Sequence, residues 1–309
     1  MQLPCSVEVV EVGPRDGLQN ESVMVSTEGK VALLKALTEA RLKRFEATSF
    51  VSPKWIPQLA DAAEVITGLP PTPGVTYSGL VPNERGYERA KAVGIPEVVL
   101  VISATEGHSR ANLNRTVAEA LATIPMLARR GLDDGIHVRV SVSTAFGCPF
   151  DGVPDIERVL WIVQSVAAAG IDEVTLCDTI GVANPQQVFE TFTRIRHAHP
   201  DLKTGAHFHD TRGLGLANVV AALDAGIRTF DASIGGLGGC PFAPGAAGNV
   251  ATEDLVYMLS EMGIETGIDL ERLLNVSDLV GRLVEHPVRA RINRSLLQWK
   301  CRIPGTLQT

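Results

Sequence analysis

This chain of 309 residues has no excess of positive charge, no long apolar run and no closely spaced pair of cysteines. Its formal net charge is −7 at pH 7, which excludes the basic surface that nucleic-acid binding requires. Its apolar runs have only the length of strands, so we expect no membrane-spanning helix. Because the overall charge is negative, an anionic ligand would have to be bound by local arginines and backbone amides.

The cysteines favour a reduced setting. There are five, an odd number, and the N-terminus lacks the apolar segment of a secretory signal. We therefore expect free thiols and a cytoplasmic location. Cys5 and Cys177 are interpreted as small buried hydrophobic residues. Since no two cysteines have C-x-x-C spacing, a structural zinc site built from cysteine and histidine is disfavoured.

Strand-like runs alternate with helical patterns along the whole chain. Apolar residues make up 45% of the sequence, which is enough for one large core. The runs are rich in Val and Ile without strict alternation, as in parallel strands that are buried on both faces. Eight such strand–helix units predict an α/β fold, a closed (β/α)8 TIM barrel. The predicted strands are 7–12, 44–49, 74–80, 97–103, 137–144, 173–178, 204–209 and 229–234.

The helical segments complete the prediction of a single barrel domain over residues 1–309, with 268–309 as a short C-terminal helical extension. Residues 105–114 are predicted to be a loop, and the polar tail after Glu285 is expected under the barrel or at a subunit contact. Helix ends are predicted at Gly94, Gly131, Gly170 and Gly226, because glycine favours the left-handed cap. The predicted helices are 27–41, 55–67, 83–92, 114–130, 156–169, 185–199, 217–225, 252–262 and 270–283.

Two histidines end the seventh predicted strand. Residues two apart in a strand point to the same face, so His207 and His209 present their imidazoles side by side. The first strand leads into Arg15 and Asp16, and barrel enzymes build their active sites at these strand ends. Two imidazoles, a carboxylate and a nearby amide predict a site for a divalent metal ion. The alternatives are core histidines, a turn aspartate and an arginine paired on the barrel rim.

Other strand ends carry further polar residues. Glu46 lies in the second strand and Asp178 ends the sixth. Strand eight leads into the glycine-rich run 235–239, which predicts either a phosphate cradle or a flexible lid. Taken alone, Asn249 is also compatible with a turn or a helix N-cap.

These stretches resemble the 3-hydroxy-3-methylglutaryl-CoA lyases. The similarity runs in order and at the family's spacing from Val7 to about Gly267. It implies a (β/α)8 barrel that binds Mg²⁺ or Mn²⁺ and cleaves a 3-hydroxyacyl-CoA thioester. The matching segments are VVEVGPRDGLQNE (9–21), EATSFVSPKW (46–55), DTIG (178–181), HFHDT (207–211), GLGGCPF (236–242) and GNVATEDLV (248–256).

The resemblance also implies roles for individual residues. It makes Arg15 the catalytic arginine and Cys240 the active-site cysteine on a mobile loop. Glu46 and Asp178 match acidic residues of the family's site. The general base stays open among Asp16, His207 and Asp178. The implied metal ligands are Asp16, His207, His209 and Asn249, and the expected coenzyme contacts are Arg212, Gly236 and Gly238.

Departures from the family's pattern fall near the predicted barrel mouth. Ser22 stands where many members carry lysine, and Arg110 and Arg212 lie in stretches that differ. We expect cleavage of 3-hydroxy-3-methylglutaryl-CoA to acetyl-CoA and acetoacetate by a homodimer. The alternatives are another substrate, such as citramalyl-CoA or a longer branched 3-hydroxyglutaryl-CoA, a Claisen-condensing enzyme of the same superfamily, or an inactive coenzyme-binding protein.

Overall fold

Eight parallel strands close into a barrel in the order in which they occur in the chain. The computed structural model describes residues 3–171, 173–239 and 248–292. The strands are β1 (Glu8–Glu11), β2 (Arg44–Ser49), β3 (Thr76–Leu80), β4 (Glu97–Ser103), β5 (His137–Ser143), β6 (Glu173–Asp178), β7 (Lys203–Phe208) and β8 (Thr229–Ala232). Strand β1 closes the barrel against β8, with Glu8 opposite Thr229 and Glu11 opposite Ala232. The predicted TIM barrel is confirmed, and every strand end lies within two residues of its predicted position.

The helices connect successive strands around the outside of the barrel. Several begin at a side chain that accepts a hydrogen bond from the first turn, as Ser26, Asn83, Thr116 and Asn184 do. The helices among the described residues are α1 (Thr27–Glu39), α2 (Ala62–Thr67), α3 (Glu84–Ala92), α4 (Glu106–Leu113), α5 (Val117–Asp134), α6 (Ile156–Ala168), α7 (Pro185–Ala198), α8 (Gly215–Asp224), α9 (Thr252–Glu261) and α10 (Leu270–Leu283).

The apolar core lies between the strands and the surrounding helices, where Phe45, Leu33 and Phe192 are fully buried. The space inside the barrel is different in character. It holds two buried arginines, Arg44 and Arg139, each in contact with carboxylates from other strands. The interior of this barrel therefore contains ion pairs, whereas many barrels are filled by branched apolar side chains.

The loop predicted at 105–114 is wrong, because residues Glu106–Leu113 form α4. This helix is short and mostly polar, and it buries only His108 and Ser109. It therefore carries no apolar stripe that a periodicity argument could detect. Asn114 ends it in the left-handed region, with φ of 52°.

The helix end predicted at Gly131 is also wrong. Helix α5 continues to Asp134, and the residue in the left-handed region is Gly135, with φ of 67°. Gly131 has another reason to be glycine, since a Cβ there would lie 2.3 Å from Cγ2 of Val138. The close approach of α5 to β5, and not a helix cap, requires a glycine at this position.

The described residues after α10 lie at the C-terminal ends of the strands, so this part of the tail does not pack under the barrel, which was one of its two expected positions. The Arg289 N–H donates to the carbonyl of Gly235 at 2.8 Å, directly after β8. Arg291 contacts the carboxylate of Asp210 at 2.7 Å, and its backbone N–H donates to Asp254. The described residues after α10 therefore brace the loops that follow β7 and β8.

Of the three cysteines in the described part of the chain, Cys148 and Cys177 are buried and Cys5 is exposed, contrary to its predicted burial. Cys5 precedes β1 at the opposite end of the barrel from the candidate site, where neighbouring residues 3–6 are also accessible. No helix within residues 3–292, as far as they are described, is long and apolar enough to cross a membrane.

Candidate active site and metal centre

A single wide helical turn presents Arg15 and Asp16 at the mouth of the barrel. In this turn, Gly13–Gly17, the backbone N–H of Asp16 donates to the carbonyl of Val12 at 2.7 Å. A Cβ on Gly13 would lie 2.6 Å from a carboxylate oxygen of Glu11, so only glycine fits there. Wide turns of this kind occur often at functional sites, where they redirect side chains.

His207 and His209 lie beside Asp16 at the end of β7. Their ring centroids are 5.3 Å apart, and all three residues are buried. One ligand atom from each of Asp16, His207 and His209 falls within 4.8 Å of the others. The structure therefore brings together three of the four predicted metal ligands, although they are separated by nearly two hundred residues in the chain.

Asn249 joins this cluster because its segment pairs with the end of β7. The Asp210 N–H donates to the carbonyl of Gly248, and the Val250 N–H donates to that of Phe208, both at 3.0 Å. The side-chain amide of Asn249 donates to Asp16 Oδ2 at 2.8 Å. Helix α9 has a different N-cap residue, Ala251, so the alternative of Asn249 as a helix cap does not apply.

The donor set fits a divalent cation. Asn249 Oδ1 is buried without a hydrogen-bond partner in the described structure, as is His209 Nδ1. Unpartnered buried polar atoms are rare and require an explanation. His207 Nδ1 contacts Asp231 at 3.2 Å, which leaves Nε2 as the ring nitrogen that can offer a lone pair. Imidazole nitrogen together with carboxylate and amide oxygen is a suitable ligand set for Mn²⁺ or Mg²⁺.

Burial and the local charges keep Asp16 and His209 in a metal-binding protonation state, and they act in opposite directions on His207. Burial raises the pKa of Asp16, but the charges of Arg15, His207 and His209 outweigh it and lower the pKa overall. Burial lowers the pKa of His209 to about 4. For His207, burial acts in the same direction, but the hydrogen bond and charge of Asp231 raise its pKa overall. At neutral pH, Asp16 is ionised and His209 is neutral.

Arg15 is held at the edge of the cluster by two carboxylates. Its Nε donates to Glu46 at 2.8 Å and one terminal nitrogen donates to Asp16 at 2.7 Å. Within the described residues, the second terminal nitrogen makes no hydrogen bond. The guanidinium is thus fixed by two of its three nitrogens and retains N–H donors for a bound oxyanion.

Asp178 ends β6 as predicted, but its carboxylate is engaged by the backbone. One oxygen accepts from the Val182 N–H at 2.9 Å and the other from the Ala183 N–H at 3.0 Å. Burial raises its pKa to about 6. This geometry supports a role in holding the loop after β6, which borders the site.

The three predicted coenzyme contacts, Arg212, Gly236 and Gly238, all lie at the mouth of the barrel, but their neighbours differ. The Arg212 guanidinium donates to the carbonyls of Ile180 and Gly181, both at 3.0 Å, so it joins the loops that follow β6 and β7. Gly238 adjoins the metal cluster, since a Cβ there would lie 2.6 Å from Asn249 Nδ2. Gly236 precedes it with φ of 64°. Cys240 lies outside the described residues.

Sequence reasoning missed two contacts of the cluster. Gln19 donates to Asp16 Oδ1 at 3.0 Å, and Asp231 accepts from His207. Gln19 follows Asp16 by three residues, a spacing that places side chains together in a helical turn. Asp231 is a charged residue inside a predicted apolar strand, which is itself a signal of a functional or paired carboxylate.

The barrel, the buried ligand cluster at its mouth and the adjacent arginine define the class of protein. It is a TIM-barrel enzyme with a candidate divalent-metal site where barrel enzymes carry their catalytic residues. The chain belongs to the HMGL-like family, whose sequence profile matches residues 6–280.

Several relatives align with most of this chain. Hydroxymethylglutaryl-CoA lyase YngG of Bacillus subtilis is 45% identical over 291 residues, covering 94% of this chain and 97% of that protein. A crystal structure of the Bacillus subtilis HMG-CoA lyase matches with a TM-score of 0.92 and 44% identity, covering 97% of this chain and all of the other. An HMG-CoA lyase from Acinetobacter baumannii, solved with coenzyme A and 3-methylmalate, matches with a TM-score of 0.89 and 41% identity, covering 98% and 97% of the two chains.

Proposed function

We propose that this protein cleaves 3-hydroxy-3-methylglutaryl-CoA into acetyl-CoA and acetoacetate with the help of a divalent cation. The observation that carries the proposal is the buried cluster of Asp16, His207 and His209 next to Arg15. This arrangement occurs in a chain whose relatives are named as HMG-CoA lyases at 41–45% identity.

The proposed ligands are Asp16, His207, His209 and Asn249. A divalent cation held there would supply Lewis-acid polarisation of substrate oxygens and lower the pKa of the 3-hydroxyl group. We propose Mg²⁺ or Mn²⁺ because the set combines imidazole nitrogen with hard oxygen donors and contains no thiolate.

The residues around the cluster suit cleavage of the bond between C2 and C3. A base takes the proton of the 3-hydroxyl group, C3 becomes the ketone carbon of acetoacetate, and the bonding electron pair moves onto the acetyl-CoA fragment as an enolate. The free N–H donors of Arg15 would stabilise the enolate oxygen as its charge develops. Protonation of the enolate carbon completes acetyl-CoA, and Cys240, or a water that it positions, is the proposed acid.

Hydrogen bonding does not select the base. Both oxygens of Asp178 accept backbone hydrogen bonds, and both oxygens of Asp16 accept side-chain hydrogen bonds. The proposed base therefore stays open among Asp16, His207 and Asp178, and Asp178 also positions the adjacent loop. Glu46, which holds Arg15 Nε, is assigned to orienting the arginine.

An acyl-CoA thioester is the proposed substrate class. The Acinetobacter baumannii relative was solved with coenzyme A, which supports this class. Arg212, Gly236 and Gly238 remain the proposed coenzyme contacts, the last two through backbone amides. We also propose a homodimer in a reduced cytoplasmic setting.

The proposal is tested by measuring acetyl-CoA and acetoacetate release from 3-hydroxy-3-methylglutaryl-CoA with Mg²⁺ or Mn²⁺ and again with excess chelator. We expect stoichiometric release of both products and its loss on chelation. Citramalyl-CoA serves as the comparison substrate. Turnover of citramalyl-CoA alone would overturn the acyl assignment, and turnover unaffected by the chelator would overturn the metal mechanism.

A further inference from the structure

One buried guanidinium lies below the candidate site and reaches three strands. Arg139 is inside the barrel on β5 with 0% exposure. Its terminal nitrogens lie 3.3 Å from Asp231 on β8 and 3.4 Å from Glu46 on β2, and its Nε lies 3.7 Å from Glu97 on β4. Burial alone would lower the pKa of Arg139, but the three carboxylates outweigh it, so the charge is retained.

Two of these carboxylates contact both Arg139 and a residue of the candidate site. Asp231 contacts Arg139 through Oδ1 and His207 Nδ1 through Oδ2, the latter at 3.2 Å. Glu46 contacts Arg139 through Oε2 and Arg15 Nε through Oε1, the latter at 2.8 Å. Each carboxylate thus uses one oxygen for the central guanidinium and the other for a side chain of the site.

We propose that Arg139 is a positioning residue that sets the metal ligand His207 and the catalytic Arg15 together, through Asp231 and Glu46. The inference rests on the proposed function, because it concerns the same metal site and the same arginine. A carboxylate partner fixes the tautomer and the ring orientation of a ligating histidine, and its loss typically weakens metal binding by about 10–100-fold.

The planar guanidinium is needed because its contacts with Asp231 and with Glu46 lie in different directions. Its terminal nitrogens contact carboxylates on β8 and β2, the two strands that flank β1, at the same time. An ammonium at the same site would keep the positive charge but concentrate it at one point. We therefore expect Arg139→Lys to retain the fold and to loosen the contacts with both Asp231 and Glu46.

The barrel offers a matched control. Arg44 is also buried, with 6% exposure, and contacts Glu8, Glu97 and Glu173 at 2.7–3.0 Å. This cluster lies at the N-terminal ends of the strands, away from the ligands. Arg44→Lys makes the same chemical change in a similar setting, and its expected effect is on stability alone.

The experiment is calorimetric titration of MnCl₂ into metal-free wild type and the Arg139→Lys, Asp231→Asn and Arg44→Lys variants, with thermal unfolding of each. We expect Mn²⁺ affinity to fall about 10–100-fold in Arg139→Lys and Asp231→Asn, and to stay at the wild-type value in Arg44→Lys. At saturating Mn²⁺, kcat should recover in Asp231→Asn but stay low in Arg139→Lys, because only the latter also releases Arg15.

A second measurement separates this inference from the proposed function. The ring ¹⁵N signals of His207 in metal-free, ¹⁵N-histidine-labelled protein should change in Arg139→Lys and not in Arg44→Lys. If wild type binds no Mn²⁺, the metal proposal fails and these signals decide the positioning role by themselves. Wild-type affinity and unchanged His207 signals in a folded Arg139→Lys variant would show that Arg139 only stabilises the barrel.

Discussion

The side chains around Asp16 show how one residue can serve two halves of a site. Its Oδ1 accepts from Arg15 and Gln19, and its Oδ2 accepts from Asn249 and lies 3.9 Å from His209 Nε2. Such a carboxylate is stabilised in its ionised form, although it is buried. A single carboxylate therefore holds Arg15 at a fixed separation from the other proposed metal ligands.

His209→Ala should abolish tight metal binding while the barrel still folds. The side chain supplies one of three clustered ligand atoms, and its neutral imidazole makes no hydrogen bond through Nδ1 within the described structure. We expect Mn²⁺ affinity to fall by roughly 100-fold or more, because loss of a residue that only hydrogen-bonds a metal ligand already costs about 10–100-fold. Calorimetric titration measures it, with the exposed His197 on α7 as control. Equal affinities in His209→Ala and His197→Ala would remove His209 from the ligand set.

Arg15→Lys should lower kcat far more than it raises KM. Lysine retains the charge, but its three donors radiate from one nitrogen and cannot reproduce the planar spread by which Arg15 contacts Glu46 and Asp16 and faces a developing oxyanion. The expected loss in kcat is about 10²–10³-fold, as for removal of one oxyanion donor. Steady-state kinetics at saturating Mn²⁺ separates the two constants. An increase in KM at unchanged kcat would instead assign Arg15 to substrate binding.

Among the secondary-structure elements, the turn after β8 lies directly beside the proposed metal ligands. Buried carboxylates anchor its base: Glu11 accepts from the Ile234 N–H at 2.8 Å and Glu253 accepts from the Gly235 N–H at 3.0 Å. Asn20, from the loop after β1, donates to the Gly239 carbonyl at 3.0 Å. The described part of the glycine-rich run is therefore fixed at its start, which favours shaping of the site over a freely moving lid.

Gly238→Ala should weaken metal binding through contact with Asn249. The residue has φ of 109°, and a Cβ would lie 2.6 Å from Asn249 Nδ2 and 3.5 Å from Asp16 Oδ2. We expect at least a roughly tenfold loss of Mn²⁺ affinity, together with about 1–2 kcal/mol of backbone strain.

Gly74→Ala is the control for the strain in this experiment. Gly74 also has positive φ, of 75°, but no atom lies within 4 Å of the position that a Cβ would take there. The Gly74→Ala variant should therefore lose stability and retain Mn²⁺ binding. Similar Mn²⁺ affinities in the two alanine variants would indicate that Gly238 is required only for its backbone conformation.

For the molecule as a whole, buried carboxyl groups without a cationic partner make the free energy of unfolding depend on pH. Burial raises the pKa of Glu11 to about 8 and that of Glu253 to about 7. Burial opposes ionisation of Asp231 as well, but Arg139 and His207 outweigh it and lower its pKa to about 2. Asp231 is thus ionised at neutral pH, whereas Glu11 holds its proton.

The free energy of unfolding should fall less between pH 5 and pH 8 in Glu11→Gln than in wild type. Over this range the folded protein holds a proton on Glu11 that the unfolded chain has released, so stability falls as pH rises. The slope for one proton is at most about 1.4 kcal/mol per pH unit. Glutamine keeps an oxygen for the Gly13 and Ile234 N–H groups and cannot ionise.

The measurement is urea unfolding of wild type and Glu11→Gln at intervals of one pH unit. The difference between the two proteins isolates Glu11, because His209 and Glu253 titrate in both. We expect wild type to lose stability relative to the variant towards pH 8. Parallel stability curves would mean that Glu11 is ionised throughout this range.

The barrel could be predicted from the sequence because its signals are local. Val- and Ile-rich runs recur with helical segments between them, and the predicted ends of each strand lie within two residues of the observed ones. The prediction failed where the deciding contact is tertiary. Helix α4 has no apolar stripe, and Gly131 is required by the approach of Val138, which lies on the next strand.

The amino-acid sequence was sufficient to predict that His207 and His209 share a strand face and that Asp16 follows the first strand, because alternation and strand order are properties of the chain. The folded barrel was needed to show that Asn249 reaches Asp16, that Asp231 contacts His207, and that Arg139 joins Asp231 to Glu46. These contacts depend on barrel closure, which brings side chains from distant strands within about 3 Å of each other in a space that excludes water.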